Sequence, residues 1–358
     1  MQKIGLSLFL LLSFGFAKAQ IGGRATYQFL NTVTAPKLAA LSGTNISHLD
    51  PSLEMVYFNP SLLDSAQHNK QLDINYTNYL ADINYGFSAY AFQYKNWGTF
   101  LAGAKFIHYG EFIEANIAGE ITGDFSASET ALFLSWSNYY KYNITYGASL
   151  KLVSSNFQQY NSFGVLVDGG VNWLANNKLT RAGFVMKNLG TQFITYSENN
   201  FEPMPFELQL GITTKLPHAP FQFSITAHNL QNPNFWYESP NDFSSGDVFG
   251  TGVEEEETST PWGEVILRHF TFGTELILSD NFQLRAGYHH QRRSDLQLRN
   301  DSKAGMVGFS MGFGIKVKKF QFDYARSVFH LAGTTNHFGI SVNLAEFTSA
   351  KKATETDN

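Results

Sequence analysis

Residues 205–230 read PFELQLGITTKLPHAPFQFSITAHNL and hold one hairpin whose pattern most of the chain repeats. From Phe206 to Leu216 one alternate set is Phe206, Leu208, Leu210, Ile212, Thr214 and Leu216, and the other is Glu207, Gln209, Gly211, Thr213 and Lys215. A period of two with opposite polarity on the two sets is a two-faced strand. Pro217 and Pro220 cannot sit inside a ladder, so Pro-His-Ala-Pro is the turn. Alternation restarts with Phe221, Phe223, Ile225 and Ala227 against Gln222, Ser224, Thr226 and His228. Such strands suit a soluble sandwich, or the inverse arrangement of an outer-membrane barrel with lipid outside and a polar lumen.

Compartment and composition choose between the two. Gln2-Lys3, the apolar run Ile4 to Ala17 and the small-residue site Ala17-Lys18-Ala19 predict a signal peptide over 1–19 and export. Gln20 follows the expected cut and the chain has no cysteine, so neither a lipoprotein anchor nor a disulfide framework is available. Beyond the signal no apolar run reaches about eighteen residues, which excludes transmembrane helices. Aromatics at 15% of the chain, 33 of them Phe, suit alternating strands with interfacial girdles. A net charge of -5 with scattered Lys and Arg leaves no footprint for nucleic acid.

Residues 20–70 do not alternate. Thr34 to Leu41, TAPKLAAL, predicts a short helix with Pro36 in its first turn and Gly43 at its end, and Phe58-Asn59-Pro60 marks a turn. This segment is expected to be a plug packed into one end of a barrel formed by 71–347, with 348–358 as a polar tail. From Leu72 onward about fourteen strand-like segments follow, each near the about nine to eleven residues that a tilted membrane strand needs. Connections after even-numbered segments are short, such as Lys95 to Trp97, Lys141 and Pro217 to Pro220. Several after odd-numbered segments are long: Gly110 to Ser128, Asn188 to Pro205, Leu230 to Glu264 and Arg292 to Ala304. Short periplasmic turns against long outer loops are what a bacterial outer-membrane barrel shows and a sandwich has no reason to produce. The fold class read from this is all-β, a closed antiparallel transmembrane barrel in the outer membrane.

No residue pattern points to catalysis, a cofactor or a metal. His289-His290 read as strand residues whose rings face opposite ways, and His108, His228 and His269 read as isolated lumen or girdle residues. No G-x-S-x-G elbow is present. Gly312 and Gly314 alternate with Phe313 and Ile315 as small residues facing the lumen or a crowded neighbour. The acidic run Glu254 to Glu257 reads as a solvated face, with a weak divalent-cation site as the alternative.

TYQFLN (Thr26 to Asn31), AALSG (Ala39 to Gly43) and FNPSLL (Phe58 to Leu63) resemble the N-terminal region of the PorV/PorQ family, outer-membrane proteins of the type IX secretion system of Bacteroidetes. Four later stretches resemble the PorQ branch more closely than the PorV branch. They are Asn84 to Gly103, Tyr109 to Glu129, Phe157 to Gly170 and the opening hairpin. The resemblance implies a fourteen-stranded barrel similar to the FadL fatty-acid transporter. It also implies a scaffold role without chemistry of its own, anchoring a cell-surface attachment complex. The implied partners are a PorZ-like surface protein, PorU-like and PorV-like components, and the lipids and lipopolysaccharide of the outer membrane. The alternative is a FadL-like transporter of hydrophobic small molecules. It would need a greasy internal pocket with a lateral opening, whereas the inward sets read here as mainly polar.

Loops held by a rigid scaffold are where docking is expected. The rings suited to anchor a partner are Phe193 and Tyr196 in one loop and Phe235, Trp236, Tyr237 and Phe243 in another. The competing reading is that they pack the loops over the barrel mouth. The topology itself is testable by labelling. An epitope inserted in 230–264 is expected to be reached by antibody on intact cells and one at 217–220 is not; the reverse pattern would put the strand count off by one.

Overall fold

The computed structural model describes residues 25–198, 200–232, 262–296, 305–330 and 333–347. Among them fourteen antiparallel strands close into a barrel in which each strand pairs with its sequence neighbours. They are β1 Gln71–Asn78, β2 Asn84–Tyr94, β3 Gly98–Ala115, β4 Ile121–Tyr140, β5 Ile144–Phe157, β6 Tyr160–Leu174 and β7 Thr180–Ile194. The second half is β8 Glu207–Lys215, β9 Phe221–Ala227, β10 Phe270–Ser279, β11 Phe282–His289, β12 Phe309–Val317, β13 Phe320–His330 and β14 Gly333–Asn343. β1 seals the ring against β14, in register from Gln71 opposite Asn343 to Asn78 opposite Asn336. Closure gives every strand a partner on each side, as the bilayer interior requires, since an unpaired backbone group there has no water to bond.

The wall obeys the alternation of the opening hairpin. Leu210, Ile212, Phe223 and Ile225 face outward while Gln209, Thr213, Gln222, Ser224 and Thr226 are buried toward the lumen. The same division runs through β5, where Leu150 and Leu152 are exposed and Ser149, Lys151 and Val153 are buried. Because the side-chain period is two, a slip of one residue would turn these charged groups into lipid, so burial fixes the register. At the short-turn end Tyr94, Trp97, Tyr139, Tyr140, Tyr142 and Trp173 form an exposed aromatic belt of the kind that sits at a membrane interface. This is the expected barrel of outer-membrane type, with an N-terminal hatch inside it.

Several boundaries depart from the sequence reading. The segment 110–128 is not a loop: β3 and β4 continue as a ladder to Ala115 opposite Ile121. The segment expected as strand from Val265 begins as a helix, Trp262–Leu267, and pairs only from Phe270. β11 stops at His289, and His290–Asp295 is helical, so His289-His290 straddles a strand end. β14 stops at Asn343, and the chain folds over so that Phe347 meets the edge of the Phe320 ring at 6.2 Å, beneath the Lys319 ammonium. Each departure is at an element end, where alternation is short and local capping decides. The 1–19 and 348–358 assignments lie outside the described residues.

The helix expected over 34–41 is present as Pro36–Ala40. Gly43, at φ 83, turns its N–H back onto the Leu38 carbonyl at 2.9 Å and ends it. This helix lies against β11 to β14, and the 3-10 turn Pro60–Leu62 lies against β5 and β6. Both need glycine beneath them. A Cβ on Gly287 would fall on the Ser42 nitrogen and 2.7 Å from the Ala40 oxygen, and one on Gly147 would lie 2.6 Å from the Pro60 carbonyl carbon. These obstacles are backbone and cannot swing aside. Gly147→Val and Gly287→Val are therefore expected to leave the barrel in the membrane but displace the hatch. Limited proteolysis of the detergent-extracted protein should then cut within 36–63; wild-type protection of that segment in both variants would remove the constraint.

Candidate functional site

The hatch was expected at one end of the barrel, but it runs the length of the lumen. At the loop end Thr26 donates its N–H to the Pro203 carbonyl at 3.0 Å. Tyr27 donates its hydroxyl to Ser162 Oγ at 2.5 Å, and Ser162 passes its own proton to the Ile194 carbonyl at 2.7 Å. At the opposite end Ser137 donates to the Leu63 carbonyl and Asp64 caps the Ser65–His68 turn, from which the chain enters β1. Between these ends nearly every hatch side chain is buried.

Three lysines on alternate strands surround one aromatic pair of the hatch. Lys105 on β3, Lys151 on β5 and Lys187 on β7 are all buried. Lys105 Nζ lies 5.0 Å from the Tyr57 ring centre and 4.8 Å from that of Phe58; Lys151 lies 4.2 Å from Tyr57 and Lys187 5.0 Å from Phe58. Each ammonium has its own carboxylate: Glu54 at 3.5 Å, Asp168 at 2.6 Å and Glu207 at 2.9 Å. Glu54 belongs to the hatch helix Leu53–Phe58, where it also accepts from Thr34 N–H at 2.9 Å, Thr34 hydroxyl at 2.6 Å and Ala35 N–H. Lys105 completes its shell on the Thr32 and Leu30 carbonyls. Unpaired charges here would be very costly, and these are all paired.

Across the lumen Arg285 bridges Glu275 and Asp323, each at 2.6 Å, and Glu275 reaches hatch His48 at 3.2 Å. Arg181 donates to the His48 carbonyl at 2.6 Å. Near the short-turn end Lys37 meets Asp50 at 2.8 Å, and this ammonium holds the Asp50 carboxyl below the usual carboxylate range. A polar cavity of about 440 Å³ opens beside the hatch at that end, lined by Lys95, Tyr139, Asn143 and Arg181 among others.

The lumen is not polar throughout, however. Toward the loop end, inward positions Tyr85, Ile107, Ala131, Val153 and Leu166 on β2 to β6 close on hatch residues Tyr27, Phe29 and Leu30, with Met204 at the margin. Alternation alone hid this: a strand with both faces apolar in its upper half still reads as alternating where a few Lys, Ser and Gly residues interrupt the inner set. Beside this compartment the wall has a seam. β7 continues to Ile194, but β8 begins only at Glu207, so beyond Lys187 β7 pairs with β6 alone. The returning chain covers the seam through Asn188 Nδ2 to the Pro205 carbonyl at 3.1 Å and Glu202 N–H to Gln192 Oε1 at 2.8 Å.

The expected docking rings are placed as follows. Phe193 is on strand β7, not in a loop, and is 67% exposed. Tyr196 is half-buried; its hydroxyl bonds Ser155 Oγ at 2.5 Å and its ring lies 5.8 Å from that of Phe157, so it packs the mouth wall. The structure does not bring the two together into one patch. Phe235, Trp236, Tyr237 and Phe243, and the acidic run 254–257, lie outside the described residues. The histidines are less isolated than expected. His228 and His289 rings sit 4.9 Å apart, His269 Nδ1 bonds the His228 carbonyl at 2.8 Å, and His290 meets Glu264 at 2.9 Å. Among the described residues no three His, Asp or Glu are grouped to hold a metal ion. Lys105, Lys151 and Lys187 were missed. Their signal was lone lysines on the inward set of strands whose outward set is apolar.

No protein-family model matches the chain, and no curated protein matches it in sequence. Solved barrels resemble it. The Ralstonia pickettii toluene transporter TbuX is 12% identical over 87% of this chain and 97% of that one, with a TM-score of 0.46. The Pseudomonas putida toluene transporter TodX is 13% identical over 85% and 95%, with a TM-score of 0.47.

The Glu54–Lys105 pair gives a direct test of how the hatch is held. Removing one partner of a buried pair leaves an uncompensated charge and costs about 3–5 kcal/mol. Glu54→Gln or Lys105→Met alone should lower the temperature at which the folded, fast-migrating gel form is lost. The double variant should recover most of that loss. An additive double variant would show that the two groups do not act as a pair.

Proposed function

We propose that this protein is a stationary anchor in the outer membrane, a scaffold for a surface attachment complex of the type IX secretion kind. Its outward end would hold a PorZ-like surface protein close to the lipopolysaccharide. The observation that supports this reading is the hatch. A segment covalently continuous with β1 runs through the lumen from mouth to base, its polar groups tied to six wall strands, which suits a rigid platform. With the interior committed to packing, the surface left to interact is the loop end.

A second reading, passage of apolar small molecules, is favoured by one specific arrangement. The aromatic compartment under Tyr27 and Phe29 lies next to the seam where β7 loses its second partner, which is what lateral exit from a lumen into lipid would use. TbuX and TodX are toluene transporters, and labelled toluene is a suitable probe for this reading.

A deletion strain separates the two. If the protein is a scaffold, its loss should release the surface partner into the medium and leave cargo unattached, with toluene uptake unchanged. If uptake falls several-fold while partner and cargo stay on the surface, the scaffold reading is wrong and transport replaces it.

A further inference from the structure

The longest hairpin of the wall does not end with the wall. β2 leaves β3 at Asn84 opposite His108, and β5 leaves β4 at Phe157 opposite Ala127. β3 and β4 go on together, through Glu111 opposite Ser126, Phe112 opposite Phe125, Ile113 opposite Asp124 and Glu114 opposite Gly123, to Ala115 opposite Ile121. At about 3.3 Å per residue this two-stranded ribbon stands roughly 15 Å beyond its neighbours. Every residue from Glu111 to Thr122 is exposed, and among the described residues no strand pairs with either backbone edge of the ribbon. A ribbon of two strands is marginal in water by itself, and open edges are a template for another strand.

The ribbon is nevertheless built to hold its shape. Phe112 and Phe125 stack at 5.1 Å across one face. At the tip Asn116 Oδ1 accepts from the Ala118 and Glu120 N–H groups at 2.9 and 3.0 Å, and Gly119 takes the φ of 83 that the turn needs. A Gln158 amide from the next hairpin steadies Glu114 at 3.1 Å. The apolar residues it displays are large: Ile113 is 67% exposed, Ile121 71% and Ile117 fully so.

Charge then selects the occupant. From Phe106 to Tyr140 there is no Lys or Arg, while Glu111, Glu114, Glu120 and Asp124 all lie on the ribbon. A second copy of this chain would bring four like charges to the same edge, and lipopolysaccharide is itself anionic; both are disfavoured. We infer that the ribbon 111–126 is a strand-addition site for an extended segment of a surface protein in which Lys or Arg alternates with apolar residues. Backbone bonds at the open edge would give affinity, and Ile113 and Ile121 flanked by carboxylates would give register and selectivity. The inference rests on the scaffold reading and assigns its dock to a place other than the loop aromatics.

The test uses the purified full chain in detergent and fluorescein-labelled decapeptides followed by anisotropy. An alternating Lys-Val peptide is expected to bind, and a Glu-Val peptide is not. The Lys-Val peptide with one central valine replaced by proline should bind at least tenfold more weakly, since proline removes an edge donor but no charge. The triple variant Glu111→Lys/Glu114→Lys/Asp124→Lys should lose the Lys-Val peptide by a similar factor. So should a second variant in which Asn-Gly replaces 112–125, which leaves the wall below untouched. Equal binding of the proline peptide, or undiminished binding by the shortened variant, overturns the inference. On cells, a benzophenone amino acid at position 117 should cross-link a protein that the triple variant sheds into the medium. Adducts to lipopolysaccharide or to a second copy overturn it. Shedding on deletion of the whole protein but not in the triple or shortened variant sinks the ribbon while leaving the scaffold standing.

Discussion

A lysine ammonium with no exposed surface needs a counter-charge within reach, and at Lys105 that charge is supplied by Glu54 from outside the wall. The barrel cannot therefore be completed by its own strands. Remove the hatch and Lys105 loses Glu54, the carbonyls of Leu30 and Thr32 and the Tyr57 and Phe58 rings together. Conversely the described residues of the hatch form no sheet of their own and only short helices, none long enough to be stable in isolation. Wall and hatch are each incomplete, and the charges that look misplaced on an inward strand face are where they are joined.

That joint explains the uneven lumen. On the β10 to β14 side the wall meets the hatch through Arg285, Glu275, Asp323 and His48, and the Pro36–Ala40 helix comes so close that Gly287, Gly312 and Gly339 stand beneath it. Over β2 to β4 side chains fill the space, Tyr57 packing edge-on to Phe87 and Phe133. Backbone contact fixes position at β5 and at β11 to β14, and apolar side chains fill the space over β2 to β4. An interior of this kind is closer to the core of a domain than to a pore.

Strand count, antiparallel order, the outward face and the helix at Pro36 were all legible in the sequence, because period-two alternation and a proline-to-glycine span each have one local cause. The ribbon at 111–126 was not. GEFIEANIAGEITGDFSAS offers no apolar face to one side, since neither side is buried, and turn-prone Asn116 and Gly119 made it read as a loop. The apolar patch under Tyr27 was missed for the opposite reason. Tyr85, Ile107 and Val153 lie on different strands, and only barrel closure brings them to one height. The polar joint was missed as well: lone lysines on inward positions were its only local sign, and their carboxylate partners are up to 51 residues away in sequence, as for Lys105 and Glu54.

The hatch begins at the mouth, ends at the base and continues without a break into β1, while the ring around it is sealed by β1 against the last strand. No sequence of small local openings frees it. Either the seal between the two ends of the barrel parts along its whole length, or the segment slides lengthwise and breaks its ion pairs on opposite walls together. Both routes cross a high barrier even where the balance between bound and free states is modest. Resistance to heat or denaturant in this protein is for that reason a matter of rate, and assembly meets the same barrier: the segment is either inside before the ring closes or threads lengthwise through a closed one.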